Sequence, residues 1–442
     1  MRFGSISIHN YKSLRNVSIT LAPLTVIVGA NAAGKSNFCD ALDFLAEAYR
    51  LGLEVAISRK GGYENICYRR LRRSKAPIKL AVEFETTAKE WQSPFLPRLA
   101  KEVAPSTRLI LHHEFEIKAE SENISAPFHV ETEALHLRVP ASSAHQPSLP
   151  PPFENLAHSN LLSIIRRGSA IVNLDFKGLD QLAGGESPSR ILKSLFEDMT
   201  TETNRQHVPS TELIVSILDS ILFGASSLRR SIGSLRVFQL NPRTCREAGV
   251  PTPNPELDRY GANLPAVIEH MRGNFPEEYE SLLQSVRAVM PSLEGLSTQY
   301  THTKTLGLFV SEEGVGRPWA AEDISDGTIQ TIALLAAIFD PRITIAAIEE
   351  PENSVHPWAL RKFIEAARKA STSKQVILTT HSPVLINQLK PSELWIARRV
   401  DTETKLDPLL SFDPTVEESW GEGHFTLAEY LDSGAIPEAV PG

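Results

Sequence analysis

The segment Gly29-Ala-Asn-Ala-Ala-Gly-Lys35-Ser36 fits the pattern GxxxxGK[ST] and constrains the fold more than any other feature of the chain. That pattern has mechanical meaning only between a strand and a helix. Both flanks comply. Leu24 to Val28 (LTVIV) reads as a strand, and Ser36 to Tyr49 carries apolar residues at Phe38, Leu42, Leu45 and Tyr49, which is helical spacing. In that setting Gly29, Ala30, Asn31, Ala32, Ala33 and Gly34 turn backbone N–H groups toward phosphate oxygens, and Asn37 follows in the first helical turn. Lys35 supplies a positive charge to the β and γ phosphates, and the Ser36 hydroxyl is a Mg2+ ligand. A chance match in a glycine-bearing turn would not carry the strand and the helix on the correct sides.

Three later segments bear on the same chemistry. An apolar strand, Ile343 to Ile348 (ITIAAI), ends in Glu349-Glu350. Ligands of open α/β sheets collect at the C-terminal ends of strands. There one carboxylate can hold Mg2+ and the next can polarise an attacking water. Taken alone, the pair would equally describe a solvated strand end. A second apolar strand runs into Leu378-Thr379-Thr380-His381-Ser382-Pro383, which puts His381 at the same edge. A neutral imidazole there either bridges a γ-phosphate and water or caps a turn. Ile324-Ser325-Asp326-Gly327-Thr328 opens a helix, with Ser325 and Asp326 as N-cap and Gly327 allowing close backbone approach. By itself this is a capped helix, and a free helix N-terminus is also an anion site.

Around these motifs the pattern changes three times along the chain. Phe3 to His9 reads as a strand. Ile78, Leu80, Val82 and Phe84 share one face, as do Leu109, Leu111, His113, Phe115 and Ile117, and His129 to Val139 alternates less cleanly. Period-two runs of this kind indicate an antiparallel sheet. Residues 140–152 (PASSAHQPSLPPP) form a Pro- and Ser-rich loop, and 155–300 reads as mostly helical, as in ILKSLFEDM, ELIVSILDSILF and FPEEYESLLQSVRAVM. From about residue 305, strands and helices alternate (LGLFV, Ser325 to Phe339, ITIAAI, 357–370, QVILTT), the signature of a parallel sheet. The expected organisation is 1–139, 140–304 and 305–442, with the outer two parts making one head.

Composition closes off other classes. The chain has 442 residues, 42% hydrophobic and 22% charged, which is ordinary globular usage. A net charge of −8 gives no overall electrostatic sign of nucleic-acid binding. Arg69, Arg70, Arg72, Arg73 and Lys75 form a local basic cluster, read either as a phosphate contact or as a solvated turn. His112 and His113 alternate faces on a strand and so do not share a metal ion easily. Cys39, Cys67 and Cys245 have no paired spacing, which excludes a disulfide framework and a zinc knuckle and suits a reducing compartment. With no apolar leader and no run near the ~20 residues of a spanning helix, a cytoplasmic protein without membrane contact is expected.

The order strand-NYKSL, phosphate loop, long interruption, SDGT, apolar-EE-PENSVHP and TTHSP resembles ABC-type ATPase heads of the SMC/RecF branch. It is most similar to the RecF-like ATPases of OLD-family nucleases and related bacterial antiphage defence systems. The likeness covers 1–90 and 320–442, and GANL (Gly261 to Leu264) in the middle is also similar. It implies an α/β P-loop NTPase fold: a mixed sheet with an antiparallel N-lobe subdomain, interrupted by a mainly helical insertion. ATP and Mg2+ are the implied cofactors. Ser325, Asp326 and Gly327 become the signature motif that meets ATP held by a second copy, Glu350 the catalytic base and His381 the switch histidine. Glu349 stands where the family usually has a Mg2+-linked Asp. No glutamine loop can be placed, and Gln239 is set aside. Such a head is expected to hydrolyse ATP, to homodimerise around it and to signal to a separate effector such as a nuclease or toxin. The rival readings are an ATP-gated DNA clamp in repair or recombination and, more remotely, a transporter subunit. A fused nuclease is not expected, since no Asp-x-Asp pair follows His381.

Overall fold

The computed structural model describes residues 2–68, 77–87, 108–120, 127–140, 160–175, 209–218 and 223–436. The basic cluster Arg69 to Lys75, the ILKSLFEDM segment and nearly all of the Pro/Ser-rich loop lie outside these residues. The chain divides into two compact units. One is Met1–Leu21 with Phe44–Gly233, the other Ala22–Asp43 with Ser234–Gly442.

Strands β1 (Arg2–Tyr11) and β2 (Leu14–Thr20) form a hairpin, and β3 (Leu24–Val28) runs into the phosphate loop. β4 (Ile78–Thr87), β5 (Arg108–Ala119), β6 (Phe128–Arg138), β7 (Asn160–Arg167) and β8 (Ala170–Asp175) follow. All of these except β3 make a seven-stranded sheet in the order β2-β1-β4-β5-β6-β7-β8, antiparallel throughout. The alternation read from the sequence sets its register. Val82 pairs with His113 and Phe84 with Leu111, so the two apolar faces coincide.

One expectation is corrected here. The 155–300 stretch is not helical at its described start. β7 and β8 extend the sheet, and Leu161, Leu162 and Ile164 are buried there. The NLLSIIRR segment is apolar on both sides, which hides its period of two. Two short strands, β9 (Arg236–Phe238) and β10 (Leu293–Tyr300), also fall in the stretch, beside helices Leu264–Asn274 and Pro276–Val289.

The second unit holds β3, β9, β10, β11 (Leu306–Glu312), β12 (Trp319–Ala320), β13 (Ile345–Glu349), β14 (Gln375–Thr380), β15 (Leu394–Val400) and β16 (Glu403–Pro408). Its main sheet has the order β16-β15-β3-β14-β13-β9, parallel except for β16 at one edge, and β10-β11-β12 form a small antiparallel sheet. Every residue of β3, β13 and β14 is buried, as continuous apolar runs covered on both faces require. Helix Asp326–Phe339 is buried from Ile329 onward and starts at Ser325, whose side chain accepts the Thr328 N–H. Helix Pro357–Ala370 is capped in the same manner by His356. Among the described residues no helix is long and apolar enough to cross a membrane.

The antiparallel unit encloses a fully buried ionic cluster. Glu133 pairs with Arg166 at 2.8 Å and with His113 at 2.8 Å, and it accepts the Ile214 N–H at 2.8 Å. Tyr49 closes the chain through the other ring nitrogen of His113. Removing the shared acceptor would strand a buried guanidinium. Glu133→Ala is therefore expected to destabilise this unit by about 3–5 kcal/mol. Urea denaturation measures it, and a loss below about 1 kcal/mol would mean that the cluster relaxes into solvent.

Candidate nucleotide-binding and catalytic site

The phosphate loop is fixed from the strand side. A Cβ on Gly34 would overlap the Thr404 side chain of β16, and one on Gly29 would overlap the Ala397 carbonyl of β15. Gly34 also has φ 102°, a conformation that a side chain rarely adopts. Arg399 donates to the Ala32 carbonyl at 3.3 Å. The loop is thus wedged against the β15–β16 hairpin, with Ala32 held at φ 64°. Lys35 Nζ folds back over the loop and donates to the carbonyls of Gly29 at 2.6 Å and Ala30 at 3.0 Å. Lys35 is buried, and burial lowers its pKa while the carboxylates of Glu350 and Glu352 oppose that shift. Helix Lys35–Leu51 has no acidic residue in its first turn, so nothing there opposes an anion at its N-terminus.

Glu349 is the last residue of β13, and its neighbour Glu350 turns the chain with φ 46°. The two carboxylates part company there. Glu349 is buried against Ser36, with which it shares a hydrogen bond, and its Oε1 takes Nη2 of Arg259 at 2.7 Å. Burial pushes the Glu349 pKa up; the Ser36 hydrogen bond and the Arg259 charge pull the other way. Arg259 also lies 3.7 Å from Asp43. Glu350 stands on the more exposed side, with Oε1 3.6 Å from His381 Nδ1, and Asn353 donates to its Oε2 at 3.2 Å. A left-handed non-glycine residue at such a position stores backbone strain of the kind found at functional sites.

Ser325, Asp326 and Gly327 form a second cluster. Arg246 holds it: Nη2 lies 2.7 Å from Asp326 Oδ1 and donates to the Ile324 carbonyl at 2.6 Å, while Nε donates to the Ala321 carbonyl at 3.0 Å. Ser325 and Asp326 are exposed. A Cβ on Gly327 would come 3.0 Å from the Ser354 carbonyl, so this turn abuts the PENSVHP loop that follows the two acids.

Residues 24–387 match the AAA_21 family, described as "AAA domain, putative AbiEii toxin, Type IV TA system". The chain belongs to this AAA-domain family. No curated protein matches it in sequence. Similar solved structures include an SMC head bound to the C-terminal winged-helix domain of ScpA, with 12% identity over 92% of this chain and 97% of that one and a TM-score of 0.46. Another is the SMC head domain of Thermotoga maritima, with 11% identity, 92% and 99% coverage and a TM-score of 0.41. A third is the Pyrococcus furiosus SMC head with an extended coiled coil, bound to the C-terminal domain of ScpA, with 11% identity, 94% and 99% coverage and a TM-score of 0.46.

This AAA-domain chain has residues at the site edge that its sequence does not announce. Gln239 follows β9 directly, and the Ile348–Phe238 pairing sets it level with Glu349. Its N–H donates to the Arg259 carbonyl at 2.7 Å. The strand before it spans only three residues, too short for a periodicity to show. Arg259 and Arg246 act through contacts distant in sequence and no local motif marks them, while Glu352 falls within PENSVHP without that segment assigning it a contact. Ser36 and Glu349 together fit a Mg2+ ion, being a hydroxyl and a carboxylate already in contact beside the phosphate loop. Because Lys35 is the loop's cation, Lys35→Ala is expected to weaken Mg2+-ATP binding by more than about 100-fold. Isothermal titration measures it, and unchanged affinity in a folded variant would contradict the assignment.

Proposed function

We propose that this chain hydrolyses ATP as an ABC-type head of the RecF/SMC-like branch, dimerises around the nucleotide and signals to a separate effector. The observation that carries this reading is the meeting of a phosphate loop, two divergent carboxylates and a histidine at one edge of a parallel sheet. Residues Gly29 to Asn37 hold the phosphates, and Lys35 provides the cation. Ser36 and Glu349 hold Mg2+, which when bound neutralises charge on the phosphate oxygens. Glu350 orients the attacking water and takes its proton, and His381 steadies Glu350. Since Ser325 and Asp326 are exposed in a cluster of their own, they and Gly327 are free to meet nucleotide held by a second copy.

The effector is the finer part of the proposal. The family description names a toxin–antitoxin system, which supports an output delivered through a second protein, and the sequence resemblance points to antiphage or foreign-DNA defence. The segment of about 155–300 would carry the contacts, because it lies mostly outside the nucleotide motifs. Closure can shift a partner only through contacts that differ between the open and closed forms.

The composite site is tested by mixing. Lys35→Ala and Ser325→Arg should each be inactive alone, and an equimolar mixture should recover one working site per mixed dimer. Wild-type specific activity should also fall on dilution. If the mixture stays inactive with mixed dimers present, and dilution has no effect, hydrolysis occurs within one chain.

A further inference from the structure

Glu352 lies two residues beyond Glu350, in the turn after β13, and its side chain is 90% buried, with 10% exposed. Its Oε1 accepts the Thr380 hydroxyl at 2.6 Å and the His381 N–H at 3.0 Å. The same oxygen lies 3.5 Å from His381 Nδ1. Oε2 is buried without a hydrogen-bond partner. A cap for the end of β14 needs one acceptor, which a neutral amide supplies at lower desolvation cost than a carboxylate. The charge therefore calls for a different reason.

His381 supplies it. Its Nδ1 faces two carboxylates, Glu352 at 3.5 Å and Glu350 at 3.6 Å. Both are acceptors when ionised, so the proton belongs on Nδ1, and Nε2 is the end left for reacting groups. Which ring nitrogen carries the proton is set by the partner of the other. We propose that Glu352 is a positioning residue for hydrolysis. It anchors the main chain of His381 and fixes its tautomer, so that Nδ1–H is held beside Glu350. This rests on the ATPase reading above.

Two measurements test it. The first uses the protein without nucleotide: nitrogen-15 NMR of selectively labelled histidines, with His381 assigned by His381→Gln. The Nδ1-protonated form is expected in wild type, with a shift toward Nε2–H in Glu352→Ala. A wild-type Nε2–H ring would overturn the proposal. The second is steady-state turnover of Glu352→Gln, which keeps shape and acceptor but loses charge. Its kcat should fall by about tenfold or more with KM changed less than about twofold. Wild-type kcat in a folded Glu352→Gln would sink this proposal while leaving the ATPase reading standing. No turnover by wild type would remove that reading, and this proposal with it.

Discussion

Parallel hydrogen bonding between β3, β14 and β13 aligns the C-terminal ends of three strands that are far apart in sequence. Val28 pairs with Thr380, and Thr379 with Glu349. The phosphate loop, His381 and the two acids emerge from these ends. A slip of one residue between β13 and β14 would exchange the sides on which Glu349 and Glu350 emerge. Burial on both faces makes such a slip costly, because every residue of these strands is packed. The site thus inherits its precision from the core. The buried helix Asp326–Phe339 belongs to the same apolar core and brings the Ser325 turn to a defined place.

The electrostatics follow from that placement. Three carboxylates, Glu349, Glu350 and Glu352, stand near Lys35 and Arg259. The cations are shared out rather than pooled. Arg259 answers the buried Glu349, and Lys35 stays within its own loop. The acid turned toward Ser36 is thereby separated from the acid turned toward His381. The turn at Glu350, which follows the last strand residue with φ 46°, makes this separation.

How much could be read in advance depended on whether the information was local. The loop Gly29 to Ser36 carries its own flanks, and the elements from Ser325 to Thr380 lie where their apolar runs indicate, but LGLFV does not join the parallel sheet: β11 pairs antiparallel with β10 and β12. Alternation in β4 and β5 was visible because one face is apolar and the other polar. β7 was hidden by apolar residues on both sides, and β9 by its length. Arg246 and Arg259 were invisible for a different reason, and Glu352 was legible only as one residue of the PENSVHP segment. Each is an ordinary charged residue in sequence, and its meaning comes from carbonyls and carboxylates brought near by the fold. The exposure of Glu350 and its left-handed backbone likewise arise from the turn and not from its neighbours' identity.

The central claim is that Glu350 at this sheet edge is the group that turns bound ATP into products. Phosphate release in a single turnover, with the protein in excess of ATP and above its dissociation constant and with Mg2+ present, addresses it directly. Wild type should release phosphate, and Glu350→Gln should retain nucleotide while releasing it at least about 100-fold more slowly, since an amide cannot take the water proton. Release by Glu350→Gln at the wild-type rate would contradict the account and move the chemistry to another residue.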